Sequence, residues 1–206
     1  FALKEPGNIY SRLTNPTEEV LEKRMAALDG GVGALAVSSG SSAVLLALQS
    51  LVRSGDHIVA QRSIYGGSFN LLSQTMPRQG VSTTFVDTSD IANIERAITE
   101  KTRAVYVETM GNPCSDLTDI DVAAEIAHRH GIMLVVDNTF ATPYLLRPIE
   151  HGADLVVYSA TKFLGGRFRP LPVAHRTGSI LSRLKLHWYR GKGCAHHLYP
   201  GPAPAR

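Results

Sequence analysis

Two polar residues follow short aliphatic runs in a way that could do chemistry. Asp137 closes Met133-Leu-Val-Val-Asp, and Lys162 comes just after Leu155-Val-Val-Tyr-Ser-Ala-Thr. Such runs read as buried parallel strands, and open α/β sheets keep their ligands at the carboxyl ends of those strands. An acid and an amine are therefore expected at one rim. A lysine amine can form a Schiff base with an aldehyde, while a carboxylate can keep a pyridine nitrogen protonated so that the ring accepts electrons. Together they suit pyridoxal phosphate (PLP). Taken singly, each has a plainer reading, the Asp as a turn former and the Lys as a solvated charge.

The surrounding text sharpens the choice. Val135-Val-Asp137-Asn-Thr-Phe-Ala-Thr-Pro143 followed by Ser159-Ala-Thr-Lys162-Phe-Leu-Gly-Gly166 resembles the cysteine and methionine metabolism family of PLP enzymes, from about Phe1 to Gly166. The resemblance implies fold type I, the aspartate-aminotransferase-like α/β fold: a PLP-binding large domain with a mainly parallel sheet, its small C-terminal domain missing here. It assigns cofactor contacts residue by residue. Tyr10 and Arg12, in Tyr-Ser-Arg, would reach a neighbouring subunit's phosphate. Gly40 and Ser41 would grip the phosphate of their own subunit, with Ser159 and Thr161 adding hydroxyls. Tyr65, in Tyr-Gly-Gly, would stack on the ring and move protons, Asn112 would sit near the ring hydroxyl, Asp137 would hold the ring nitrogen, and Lys162 would carry the aldehyde. Lys162 and Tyr65 are the catalytic candidates, and no metal is expected.

The motifs Gly7-Asn-Ile-Tyr-Ser-Arg, Glu108-Thr-Met-Gly-Asn-Pro and Arg147-Pro-Ile-Glu-His-Gly-Ala-Asp154 look most like O-acetylhomoserine sulfhydrylases. That implies a γ-replacement making homocysteine and acetate from O-acetylhomoserine and sulfide. Methionine γ-lyase and the cystathionine enzymes are the alternatives. The resemblance also implies a small amino-acid substrate with sulfide or a thiol, and a homo-oligomer, a dimer sharing the site and a tetramer overall.

The elements that must position these residues follow from periodicity. A helix is expected from Thr17, with Val20, Leu21, Met25 and Leu28 as its apolar stripe. Strands are expected at Leu35–Ser39, His57–Ala60, Val81–Asp87 and Thr102–Glu108, and helices after Gly40, after Tyr65, from Ser89 and over Asp119–His130. Six or more strand-then-helix alternations call for a parallel sheet covered on both faces. The Gly40 turn carries neither the Gly-x-Gly-x-x-Gly fingerprint nor a P-loop, but a small-residue turn feeding a helix N-terminus suits a phosphate. Glu108 reads as structural. His128 and His130 lie two apart, on different helix faces, and so make a poor metal pair.

Composition is that of an ordinary globular chain, 44% hydrophobic and 19% charged over 206 residues. No apolar run approaches the roughly 18 residues of a membrane helix, so no membrane role is expected. Two cysteines, Cys114 and Cys194, fit a reducing compartment, and a cytoplasmic location is expected. The first residue is not Met, which suggests a fragment or a processed start.

The net charge of +3 hides an asymmetry. Residues 167–206 hold eight Lys or Arg and no acid, leaving 13 basic and 18 acidic groups before them, and they contain five of the 11 prolines. Residues 1–166 are therefore expected to form the large domain, and 167–206 a basic, Pro-rich tail that is disordered or frameshifted. A second class of function, nucleic-acid binding through that tail with Phe168, Trp188, Tyr189 and Tyr199 as stacking groups, ranks below the enzyme reading, and no nucleic-acid partner is expected. A Cys194, His196 and His197 metal site lacks a well-spaced fourth ligand.

Overall fold

A computed structural model of the protein describes residues 15–165, Gly7, Tyr10, Ser11 and the backbone of 185–189. Arg12, Phe168, Cys194, His196, His197 and Tyr199, all singled out above, lie outside the described residues.

Asn15 starts the regular structure. Its extended backbone aims Oδ1 at the N–H groups of Thr17 (2.9 Å) and Glu18 (3.4 Å), so α1 (Pro16–Asp29) is capped two residues before the expected start at Thr17. Gly30 at φ 71° ends it in the left-handed region that a glycine enters freely. The expected apolar stripe is only partly used. Met25 is buried, whereas Val20 and Leu28 stay 62% and 43% exposed, and Asp29 is fully buried instead.

The chain then alternates as its periodicity requires: β1 (Gly33–Val37), α2 (Gly40–Gln49), β2 (His57–Gln61), α3 (Gly66–Asn70), a π-helical turn (Leu71–Thr75) and α4 (Met76–Arg78). After these come β3 (Ser82–Val86), α5 (Ala92–Ala97), β4 (Thr102–Glu108), α6 (Ile120–Arg129), β5 (Met133–Asp137), α7 (Thr142–Leu145), β6 (Leu155–Tyr158), a 3₁₀ turn (Phe163–Gly165) and β7 (Lys185–Tyr189). The π turn precedes Pro77, which has no N–H to continue an α ladder, and the Met76 N–H bonds back to the Leu71 carbonyl.

The strands form one sheet in the order β1-β7-β6-β5-β4-β2-β3. Neighbours from β6 through β3 run parallel, and β7 alone is antiparallel, pairing with both β6 and β1. Within residues 167–206, Lys185–Tyr189 is a strand between β6 and β1, and Trp188 and Tyr189 contribute their backbone to the sheet. Five residues without an acid can still pair through main-chain groups, which composition does not reveal.

Period-two alternation divides the core. Val59, Val105, Val107, Leu134, Val136 and Val156 face α1, α5 and α6, while Ile58, Ala60, Ala104, Tyr106, Val135 and Val157 face α2, α4 and the π turn. Both layers are apolar, so the central strands read as continuous hydrophobic runs. All described parallel strands, and β1 through its two antiparallel pairings, deliver their carboxyl ends to one edge.

Candidate active site

That edge holds a cavity of about 350 Å³, of the size that takes a small molecule. It gathers eight of the ten expected site residues: Gly40, Ser41, Tyr65, Asn112, Asp137, Ser159, Thr161 and Lys162. Tyr10 is exposed and does not line it, and Arg12 lies outside the described residues.

Each residue arrives there for a local reason. Ser39 caps α2, its Oγ accepting from the Ser42 N–H at 3.0 Å, which leaves the first-turn amides of Gly40 and Ser41 directed at the cavity end of the helix. Asp137 ends β5 and is held by donors. Thr139 donates both its N–H and its hydroxyl to Asp137 Oδ1, and the buried Tyr106 hydroxyl donates to Oδ2 at 3.3 Å. The Thr139 hydroxyl oxygen in turn accepts the Ser159 N–H at 2.8 Å, so the β5 and β6 ends are tied together. Lys162 sits on the turn after β6, where its N–H bonds to the Ser159 carbonyl at 3.0 Å. Burial and the nearby carboxylates push the Tyr106 phenol well above its ordinary value, so it stays a donor.

Tyr65 enters at the start of α3 and remains half-exposed on the cavity wall. Its ring lies over Gly67, where any Cβ would collide with the ring carbons, so the Gly of Tyr-Gly-Gly makes room for the aromatic.

The structure also places residues here that sequence reasoning did not select. Val44, Ser68, Met110, Thr139, Phe140 and Phe163 line the cavity, with the Phe140 and Phe163 rings 5.4 Å apart. Thr139 was findable, since Asp-x-Thr is a local turn in which a side chain bonds two residues on. The largest revision is Glu108. Read in the sequence as structural, it is 4% exposed, lines the cavity, and stands opposite Asp137 in the β4–β5 register. Burial first, then the neighbouring Asp137 carboxylate, push its carboxyl up to about 8, against the stabilising N–H groups of Tyr65 and Asn112.

Elsewhere, His128 pairs with Asp154 at 2.9 Å and His130 with Glu95 at 3.1 Å, in agreement with their expected separation on the helix. Among the described residues no cluster of His, Cys, Asp and Glu could hold a metal, and no helix is long and apolar enough to cross a membrane.

The donor set fits PLP on its own chemistry. The cavity offers an amine for an aldehyde, a carboxylate held by three donors for a ring nitrogen, an aromatic wall for a flat ring, and helix-terminal amides with two hydroxyl side chains for a phosphate.

Comparisons with known proteins agree. Residues 1–172 match the profile of the Cys/Met metabolism PLP-dependent enzymes. An O-acetyl-L-homoserine sulfhydrylase of Leptospira meyeri is 50% identical over 93% of this chain and 42% of its own length. A homocysteine synthase of Schizosaccharomyces pombe is 52% identical over 81% of this chain and 39% of its own. Among solved structures, a protein of Campylobacter jejuni assigned as an O-acetylhomoserine (thiol)-lyase and solved with N′-pyridoxyl-lysine-5′-monophosphate superposes with a TM-score of 0.81 at 36% identity, over 92% of this chain and 44% of that one. The chain thus spans less than half the length of these relatives. The likeness to the Leptospira meyeri protein extends past Gly166, whereas that to the Schizosaccharomyces pombe protein covers 167 residues.

Proposed function

The chain belongs to the Cys/Met metabolism PLP-dependent enzyme family, and from that premise we propose that it is the cofactor-binding part of an O-acetylhomoserine sulfhydrylase. The reaction is γ-replacement: O-acetylhomoserine and sulfide give homocysteine and acetate. The observation that carries this reading is the cavity in which the Lys162 amine, the Asp137 carboxylate, the Tyr65 ring and the α2 N-terminus converge. Residues 1–166 form the large domain, and β7 completes its sheet.

When bound, PLP supplies an aldehyde that captures an amine and a ring that draws electrons from the substrate's Cα. The chain's residues hold it and handle protons around it. Asp137, oriented by Thr139 and Tyr106, keeps the ring nitrogen protonated. Gly40, Ser41, Ser159 and Thr161 hold the phosphate, and Asn112 approaches the ring hydroxyl. Tyr65 covers one face of the ring and assists in proton transfer. Lys162 would hold the aldehyde through its amine, and that amine, when free, would serve as the base and acid at the substrate's Cα and Cβ. Tyr10 and Arg12 complete the phosphate site of a neighbouring copy in a homodimer or tetramer, and the enzyme works in the cytoplasm.

The test is incubation with PLP, gel filtration and borohydride reduction. The expected result is a retained visible band and a pyridoxyl group located by peptide mapping on Lys162, both lost in Lys162→Ala. A colourless protein, or a label on another lysine, refutes the assignment. If the label is found, product analysis separates the chemistries: homocysteine from O-acetylhomoserine and sulfide supports the sulfhydrylase, whereas methanethiol and an α-keto acid from methionine would assign a γ-lyase.

A further inference from the structure

The loops that carry Tyr65 and Asn112 leave neighbouring parallel strands, β2 and β4. Side chains join the loops beyond the strand ends. Glu108, the last residue of β4, is buried between the two loops. Its Oε1 accepts the Tyr65 N–H at 2.8 Å.

Glu108 is itself fixed from behind. Its N–H donates to Gln61 Oε1 at 2.8 Å, and the same oxygen accepts the Thr118 hydroxyl at 3.2 Å. Gln61 Nε2 donates to Asp116 Oδ2 at 3.2 Å, and the Ser63 hydroxyl donates to Asp116 Oδ1 at 2.6 Å. The β2–α3 loop is thereby locked onto the β4–α6 loop. Gly111 lies at the closest approach, where a Cβ would run into the Asp116 carboxylate and the Ser63 carbonyl and hydroxyl. A buried carboxyl at the end of β4 that accepts a main-chain N–H from the β2–α3 loop ties that loop to β4.

We propose that Glu108 is a positioning residue that fixes Tyr65 against the end of β4, from which the loop carrying Asn112 departs. This rests on the reading that Tyr65 and Asn112 hold the cofactor, and it explains why an acid occupies the β4 end beside Asp137. A single acid would serve the ring nitrogen. The second serves the protein, because its oxygen accepts a main-chain N–H from the neighbouring loop.

The experiment is site-resolved amide hydrogen exchange on the full chain, comparing wild type with E108A and the isosteric E108Q, each with and without PLP. E108A should raise the exchange rate of the Tyr65 amide by about tenfold or more, since it loses a hydrogen bond to a buried acceptor. E108Q, whose amide oxygen replaces a carboxyl oxygen as the acceptor, should raise it by a smaller factor. In PLP-bound protein the visible circular dichroism of the cofactor band should change in both variants, which reports ring placement rather than stability. Should E108A fail to fold, E108Q carries the test. Unchanged exchange at the Tyr65 amide in both variants, or a uniform rise across β4 and β5, overturns the proposal. Wild type that retains PLP while the variants behave like it sinks the positioning role and leaves the proposed function standing. Wild type that retains none, with the local exchange effect present, does the reverse.

Discussion

At the scale of single residues, the two carboxylates of the cavity divide their tasks by environment. Asp137 collects three donated hydrogen bonds, which favour the charged form of a carboxylate. Asp137→Asn keeps the size and loses the charge, and should weaken PLP retention by about 10- to 100-fold, the worth of a charge-assisted hydrogen bond of roughly 1.5–3 kcal/mol; equilibrium titration by absorbance would measure it. A second buried acid lies far from this chemistry. Asp29 accepts the Tyr158 hydroxyl at 2.8 Å, and its other oxygen has no hydrogen-bond partner, so burial pushes it from 3.8 up to about 6. The folded state thus favours the protonated form. Stability from this group is fully present below about pH 4 and declines as the pH rises to about 6, a loss on the order of 1–3 kcal/mol. Thermal unfolding of wild type and Asp29→Asn across that range should show the decline in wild type and a flatter profile in the variant. An unchanged difference between them at every pH would mean that Asp29 does not titrate there.

At the scale of elements, the site depends on strand ends whose position is set by two apolar layers. Leu134 in the middle of β5 is fully buried against α6, and Leu134→Ala should cost about 2–5 kcal/mol by leaving a cavity that close-packed neighbours fill only partly, measurable by urea unfolding. The turn before α3 is constrained differently. Gly67→Ala leaves the core untouched but pushes the Tyr65 ring from its place, so stability should change little while PLP retention falls. Elements of this kind were legible because their signals are local. Thr102–Glu108 falls where the β-branched run predicts it, and α6 starts after Asp119, whose Oδ1 accepts the Val122 N–H at 3.1 Å. The start of α1 was misplaced by one residue because the Asn15 cap lies ahead of Pro16, and a cap before a proline reads from sequence as part of the turn.

At the scale of the whole molecule, β1 meets the rest of the sheet only through β7 among the described strands. β1 leads directly into Gly40 and Ser41 at the start of α2, so the end of the cavity that they line depends on residues 185–189. A chain ended at residue 184 should lose exchange protection over 33–37 and bind PLP more weakly, while β4 and β5 keep their protection; equal protection at 33–37 would show that β1 holds its place without β7. What the sequence by itself determined is the chemistry and the class of fold. The residue types at the ends of β5 and β6, the spacing of Tyr65-Gly-Gly and the strand–helix alternation are local properties of the chain, and with the family resemblance they pointed to eight residues that line one cavity. Only the tertiary structure decided the rest. The place of Glu108 opposite Asp137 is a matter of inter-strand register, the burial of Asp29 depends on a tyrosine 129 positions away, and β7 is a strand only because two partners flank it. Each of these is a pairing between distant segments, and a hydrogen bond or register of that kind leaves no periodic trace in the text of either partner.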